Sequence, residues 1–264
     1  MGYDPPMYPV LFRIGSLEIT SFGVMVALGA LLGILLIRRE LERSGVDSVK
    51  GTDAALVGVL GGLAGAKLLY VIEHWAEPLS ETLLSRGGMS WFGGLTGGVL
   101  AGIAWVLWQR LPLMTVLSAA APALALGHAV GRIGCFLVGD DYGRPTSLPW
   151  GIAFPEGLPP TLEPVHPTQL YEAAFLFPFA YLLVRLRKGR MPDQRVFGIY
   201  LVGAGALRFL IEIVRVNVHV LFGLTTAQLF SIAVVIVGLV MLVRHSPAPV
   251  HVAPAKAPAR RKRR

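Results

Sequence analysis

The chain has 264 residues, of which 54% are hydrophobic and 15% are charged, and its mean hydropathy is +0.61. A soluble globular domain carries about 25% charged residues and about 45–50% apolar residues, so this composition excludes a soluble α/β enzyme. Collagen-like and disordered chains are excluded too, because glycine and proline follow no period and aliphatic residues abound. The composition predicts an all-α, polytopic membrane protein.

The net charge of +8 reflects 24 Lys and Arg residues against 16 Asp and Glu residues. Six of these cations lie in the stretch 256–264, and most others lie in short connections between apolar segments. This distribution is typical of the inner loops of a membrane protein and does not indicate a nucleic-acid partner. The single cysteine, Cys135, excludes an intramolecular disulfide framework and any multi-cysteine metal site.

Seven apolar segments are predicted to be transmembrane helices, because each is near the ~20 residues needed to cross ~30 Å of hydrocarbon. The fifth segment is short. In chain order they are 17–37, 54–73, 92–109, 116–138, 170–184, 196–214 and 225–243.

The connections between these segments differ in positive charge. The 38–53, 110–115 and 185–195 connections and the C-terminal tail hold seventeen Lys and Arg residues, whereas the opposite set of segments holds four. Positive charge collects on the cytoplasmic side of membrane proteins. The N-terminus is therefore predicted outside and the C-terminus in the cytoplasm.

Two regions differ in composition. Residues 1–245 form the predicted seven-helix membrane domain. Residues 246–264 are rich in Pro and Ala and then basic. This tail is predicted to be disordered, cytoplasmic and close to anionic lipid headgroups.

Three cations, Lys67, Arg132 and Arg208, fall inside predicted helices. At 1.5 Å per residue they lie about 18–24 Å from the inner end of a ~30 Å core, in the outer half. A charge near the bilayer centre costs about 2.5–3.5 kcal/mol, so three of them need an explanation.

Few acids are available to neutralise these cations. Glu212 lies one turn after Arg208 on the same helical face, and Glu172 opens the fifth segment. One interpretation is snorkelling or structural ion pairing. The other is that two partly buried arginines grip the phosphate of an anionic phospholipid held from the outer leaflet.

Two histidines are predicted to lie in the outer half of the membrane, near these cations. His128 precedes Arg132 by four residues and shares its helical face, so it is either a general base or a hydrogen-bonded structural residue. His166 begins the run HPTQLYE, in which the proline is also a common device for starting a helix.

Three sequence blocks together resemble the prolipoprotein diacylglyceryl transferase family. They are GHAVGRIGCFLVGDDYG at 127–143, HPTQLYE at 166–172 and GALRFLIEIVR at 205–215. GAKLLY at 65–70 and GGMSWFGGLTGG at 87–98 are similar to two further family blocks. The resemblance covers nearly the whole chain, in order.

The resemblance implies transfer of the diacylglyceryl group of phosphatidylglycerol to the lipobox cysteine thiol of a prolipoprotein. A thioether forms and glycerol phosphate leaves. The implied partners are phosphatidylglycerol, prolipoprotein signal peptides with a lipobox cysteine, and membrane lipid. No metal or organic cofactor is implied. The implied location is the bacterial plasma (inner) membrane, crossed several times.

The resemblance also assigns residues. Arg132 matches the signature arginine that contacts the headgroup, and Arg208 matches a second essential arginine. Glu212 and Arg215 are expected to be ion-pair neighbours of Arg208. The remaining expected substrate-binding residues are Lys67, Asp140, Gly143, Tyr171 and Glu172.

The chain departs from the family pattern at four positions. Phe92 replaces a histidine proposed to assist proton removal, Cys135 replaces an asparagine, Asp140 replaces a glutamate, and Phe22 replaces a tyrosine. Without a histidine at position 92, we rank His128 and His166 equally as candidate bases, ahead of Asp140. The thiol could also ionise unaided in the positive field of the arginines.

Two other classes compete with the transferase. A divergent family member could bind anionic phospholipid without catalysis, and the loss of the histidine at Phe92 is the feature that supports this alternative. A transporter or channel is disfavoured, because the sequence shows no inverted repeat and its intramembrane cations lie in the outer half.

Overall fold

The computed structural model describes residues 9–15, 17–84 and 88–244. These residues form eight helices and three two-stranded antiparallel hairpins. The fold is therefore mostly helical, and the prediction of an all-α protein missed the hairpins. They form in short runs that contain β-branched residues and lie before α1, between α5 and α6, and between α7 and α8. The predicted disordered tail, 246–264, lies outside the described residues.

The elements follow one another in a simple order. The helices are α1 (Ser21–Arg43), α2 (Ser48–Glu73), α3 (Leu79–Leu84), α4 (Trp91–Trp108), α5 (Leu113–Val138), α6 (Thr168–Lys188), α7 (Asp193–Val214) and α8 (Thr226–Val243). The hairpins are β1–β2 (Val10–Ile14, Leu17–Thr20), β3–β4 (Ile152–Phe154, Thr161–Val165) and β5–β6 (His219–Leu221, Leu224–Thr225).

Each predicted transmembrane segment overlaps a helix, and five helices of the described chain are long and apolar enough to cross a bilayer: α1, α2, α5, α7 and α8. The predicted third and fifth spans fall on α4 and α6. The apolar stretch of α4, Phe92–Trp108, is shorter. Helix α6 carries Gln169 and Glu172 near its start and basic residues in its last turn, which lowers its mean hydropathy.

The chain divides into two compact units. One unit covers the described residues 37–84 and 88–116 and contains α2 and α4, which approach closely along facing glycines. A Cβ atom on Gly97 would lie 2.9 Å from the Cα of Gly65, and one on Gly62 would lie 3.2 Å from the carbonyl oxygen of Gly94. Such an approach is possible because glycine has no side chain, which lets helix backbones touch in lipid.

The other unit covers the described residues 9–15, 17–36 and 117–244. Its core is formed by residues of α5, α6 and α7: Ala121, Ala125, Ala129, Leu176, Phe179, Ala180, Leu183, Val196, Leu207 and Ile211. The β3–β4 hairpin connects α5 to α6, and the β5–β6 hairpin connects α7 to α8. Most of the predicted site residues belong to this unit.

Candidate active site

The end of α5 turns an acidic side chain back towards an arginine of the same helix. Gly139 adopts a left-handed conformation with φ of +68°, which is the usual way to end a helix. Asp141 also has a positive φ, +61°, which aspartate tolerates better than most residues. As a result, Oδ2 of Asp141 lies 2.8 Å from Nη1 of Arg132.

Arg132 also contacts a second carboxylate, on α6. Its Nε lies 3.0 Å from Oε2 of Glu172. Only 13% of the Arg132 side chain and 1% of the Glu172 side chain are exposed. A planar guanidinium can contact two separate carboxylates with a fixed geometry, so this arrangement holds the side chain of Arg132 in one orientation.

His128 lies one turn before Arg132 and shares a partner with it. Its Nε2 is 3.5 Å from Oε2 of Glu172, and 47% of its side chain is exposed. The shared helical face of His128 and Arg132, predicted from their spacing, is found in the structure. Glu172 therefore joins an accessible imidazole to a buried guanidinium.

Arg215 pairs with Asp141. Its Nη2 lies 2.6 Å from Oδ1 of Asp141, and its Nη1 donates to the backbone oxygen of that residue at 3.0 Å. The expectation that Arg215 is an ion-pair neighbour of Arg208 was wrong, because Arg215 follows the end of α7, where the chain leaves the helical face. Burial alone would raise the pKa of Asp141, but hydrogen bonds from Arg215 and Arg132 outweigh it and lower that pKa to about 2.

Arg208 and Glu212 form the ion pair predicted from their spacing on α7. Nη2 of Arg208 lies 2.7 Å from Oε2 of Glu212, whose Oε1 accepts a hydrogen bond from Nδ2 of Asn217 at 2.7 Å. Nη1 of Arg208 is buried and has no hydrogen-bond partner within the described part of the chain. A buried donor of this kind is suited to an anionic group brought by a ligand.

Asp140 lies beside Cys135. Its carboxylate lies within 4.8 Å of the Cys135 sulfur, and its backbone oxygen accepts a hydrogen bond from Nε2 of Gln169. Burial raises the pKa of Asp140. Atoms of Cys135, Asp140 and Asp141 lie close enough to hold a metal ion. However, Asp141 already faces two guanidinium groups, whose positive charge opposes a cation.

The HPTQLYE motif forms a second hydrogen-bonded group. Helix α6 begins at Thr168, directly after Pro167, as the motif predicted. Nδ1 of His166 lies 3.3 Å from the Tyr171 hydroxyl, which accepts a hydrogen bond from Nε1 of Trp150 at 2.8 Å. This hydrogen bond occupies one ring nitrogen of His166, and the tautomer of the imidazole decides which of the two groups donates.

Gly143 connects this motif to the end of α7. Its backbone N–H donates to the carbonyl oxygen of His166 at 2.8 Å, and a Cβ atom at this position would lie 2.7 Å from the carbonyl oxygen of Val214. No side chain fits there without moving the backbone. Gly143 therefore lets the loop after α5, the HPTQLYE motif and the end of α7 pack closely together.

Lys67 and Phe92 belong to the unit that contains α2 and α4. Nζ of Lys67 donates to the backbone oxygen of Gly88 at 3.2 Å and lies 5.4 Å from the ring centre of Tyr70. Phe92 is 43% exposed near the start of α4.

Sequence reasoning missed three residues of this site: Asp141, Gln169 and Asn217. The resemblance directed attention to Asp140, whereas its neighbour Asp141 contacts the arginines. Gln169 lies inside the HPTQLYE motif, so the motif could have indicated it as a site residue. Asn217 lies beyond the predicted helix, and no sequence pattern indicated that it belongs to the site.

The class of this protein follows from its apolar helices and from the buried arginine–carboxylate pairs near their ends. Polar and charged groups in membrane segments are costly and are retained for a functional reason. This chain is a multi-pass membrane protein, and its buried arginines lie near the ends of its apolar helices. It belongs to the prolipoprotein diacylglyceryl transferase family, whose model matches residues 9–244.

Relatives from several bacteria match over most of their length. The chain is 33% identical to a protein of Clostridium tetani (88% of this chain, 96% of the relative) and 36% identical to one of Geobacter sulfurreducens (90% and 95%). It is 37% identical to one of Bordetella bronchiseptica (89% and 94%). All three relatives are named phosphatidylglycerol–prolipoprotein diacylglyceryl transferase.

Proposed function

We propose that this chain transfers the diacylglyceryl group of phosphatidylglycerol to the lipobox cysteine of a prolipoprotein. The thiol loses its proton and its sulfur attacks the glyceryl carbon that carries the phosphate. A carbon–sulfur bond forms, the carbon–oxygen bond to phosphate breaks, and glycerol phosphate leaves with the bonding electrons. Family membership and the names of the relatives support this reaction.

One observation carries the proposed site: a buried arginine donor without a partner next to a second, oriented arginine. Nη1 of Arg208 has no acceptor among the described residues, and Arg132 is held by Glu172 and Asp141. Charge builds on the phosphate as the carbon–oxygen bond breaks. Fixed cations in a water-poor site stabilise that charge more strongly than water does.

In this proposal Arg132 and Arg208 bind the phosphate, and His128 accepts the thiol proton. His128 is accessible and its ring approaches Glu172, which stabilises the imidazolium that forms. His166 is the alternative base, although one of its nitrogens already faces Tyr171. Ionisation of the thiol in the field of the arginines is the third possibility, and the pH profile described below distinguishes them.

We also propose a location and topology. The enzyme lies in the bacterial plasma (inner) membrane, crosses it seven times, and has its N-terminus outside and its C-terminus in the cytoplasm. The uneven distribution of Lys and Arg between the connections supports this orientation. In this proposal α4 and α6 add two spans to the five helices that are long and apolar enough to cross a bilayer.

A direct assay tests the function. Purified protein is incubated with phosphatidylglycerol and a lipobox peptide, and mass spectrometry measures the diacylglyceryl adduct. A peptide with serine in place of the lipobox cysteine is the matched control and should stay unmodified. If the protein binds phosphatidylglycerol but never yields the adduct, the proposal fails and the phospholipid-binding alternative replaces it.

A further inference from the structure

Two buried acceptors on α6 have no donor. Oε1 of Gln169 and Oε1 of Glu172 are both enclosed, and neither has a hydrogen-bond partner within the described residues. Gln169 is 0% exposed and Glu172 is 1% exposed. Leaving a buried acceptor unpaired costs free energy, so such atoms in native structures are expected to receive a hydrogen bond from an ordered water or a bound ligand.

The two residues are three positions apart, so they lie on the same face of α6. Glu172 contacts Arg132 and His128 on this face. The amide of Gln169 has a defined orientation, because its Nε2 donates to the backbone oxygen of Asp140. Its oxygen is therefore oriented as an acceptor on the face of α6 where Glu172, one turn later, contacts Arg132.

The chemistry of the lipid limits what the donor can be. In phosphatidylglycerol the phosphate and the two acyl esters offer acceptors only. The only donors are the two hydroxyl groups of the headgroup glycerol. Because Arg132 contacts Glu172 of α6, a phosphate bound by Arg132 would lie near the face of α6 that also carries Gln169.

We propose that Gln169 is a specificity-determining residue that accepts a hydrogen bond from a glycerol hydroxyl of the phosphatidylglycerol headgroup, with Glu172 accepting from the other hydroxyl. This inference rests on the proposed function and extends it to the choice of headgroup. A buried acceptor rejects a ligand that lacks the matching donor, because binding then leaves the acceptor unpaired.

The test compares two lipids with the same charge and acyl chains. Phosphatidylpropanol has a propyl group in place of glycerol and so lacks both hydroxyl groups. We expect wild-type protein to favour phosphatidylglycerol by about tenfold in kcat/KM. This comparison uses no variant, so equal rates with the two lipids would overturn the proposal whatever the variants do.

The variant Gln169→Leu assigns the preference to this residue. It should lower kcat/KM with phosphatidylglycerol by about tenfold and change that with phosphatidylpropanol by less than about twofold. A purely structural role, acting through Asp140, would lower both rates equally and would overturn the proposal. The matched control is Gln194→Leu, since Nε2 of Gln194 also donates to a backbone oxygen, that of Met241.

The outcomes also separate this inference from the proposed function. If wild-type protein forms no adduct with either lipid, the proposed function fails. If it forms the adduct with phosphatidylglycerol but shows no headgroup preference, only the role of Gln169 fails.

Discussion

Arg132 and Glu172 form a buried ion pair between α5 and α6, with Nε of the arginine 3.0 Å from Oε2 of the glutamate. Removing two charges from water costs several kcal/mol per ion, so such a pair adds little to stability by itself. Its effect here is on geometry, because it fixes the guanidinium plane while Asp141 holds the other side.

The shape of the Arg132 side chain should matter more than its charge. Arg132→Ala should lower turnover by about 100-fold or more, the usual loss when a fixed donor to a developing anion is removed. Arg132→Lys should rescue little of it, because one ammonium cannot contact both Glu172 and Asp141 as the guanidinium does. Adduct formation is measured by mass spectrometry and protein content of the membrane by immunoblot. Arg185→Lys, at an exposed position late in α6, is the control and should keep the wild-type rate. A near-normal rate for Arg132→Lys would contradict the requirement that one side chain contact both Glu172 and Asp141.

The identity of the base should appear in the pH–rate profile. We expect His128→Gln to lower the rate at every pH and to remove the fall in rate at acidic pH, since a protonated imidazole cannot accept the thiol proton. His166→Gln should keep that acidic fall, because His166 contacts Tyr171 and not Glu172. Profiles are recorded at saturating lipid. If both variants retain the wild-type rate and profile, ionisation of the thiol in the arginine field becomes the better account.

Asp141 should make the folding stability depend on pH in the acidic range. Its pKa falls from 3.8 to about 2 in the folded protein, mainly because Arg215 and Arg132 overcome the effect of burial. A carboxyl whose pKa is lower when folded stabilises the protein above its unfolded pKa, and this stability is lost as the pH falls through the folded pKa. Tm in detergent should therefore be higher for wild type than for Asp141→Asn at pH 5, and the difference should shrink towards pH 2. A difference in Tm that stays constant over this range would contradict the ion-pair assignment.

The predicted orientation can be tested with reporter fusions. Fusions at Gly45 and Lys188 should report the cytoplasm, because both connections are rich in Lys and Arg. A fusion near Glu156, between β3 and β4, should report the outside. A cytoplasmic signal at Glu156 would overturn the topology and the depth assigned to the three intramembrane cations.

Local patterns in the sequence predicted much of this protein. Its composition predicted a membrane protein, and each apolar segment overlaps a helix. The spacing of Arg208 and Glu212 predicted their ion pair, and the spacing of His128 and Arg132 predicted their common face. These predictions succeed because a helix repeats every 3.6 residues, so neighbours within one turn are determined by the chain itself.

Other features depended on the tertiary structure. Arg132 pairs with Glu172 across 40 positions of the chain, and Arg215 pairs with Asp141 across 74. No periodicity relates such distant residues. Their contact depends on the left-handed turn at Gly139 and Asp141 and on how α6 and the end of α7 pack around it. The sequence by itself determined which residues could carry charge in the membrane, and the packing of distant segments decided which carboxylate each arginine contacts.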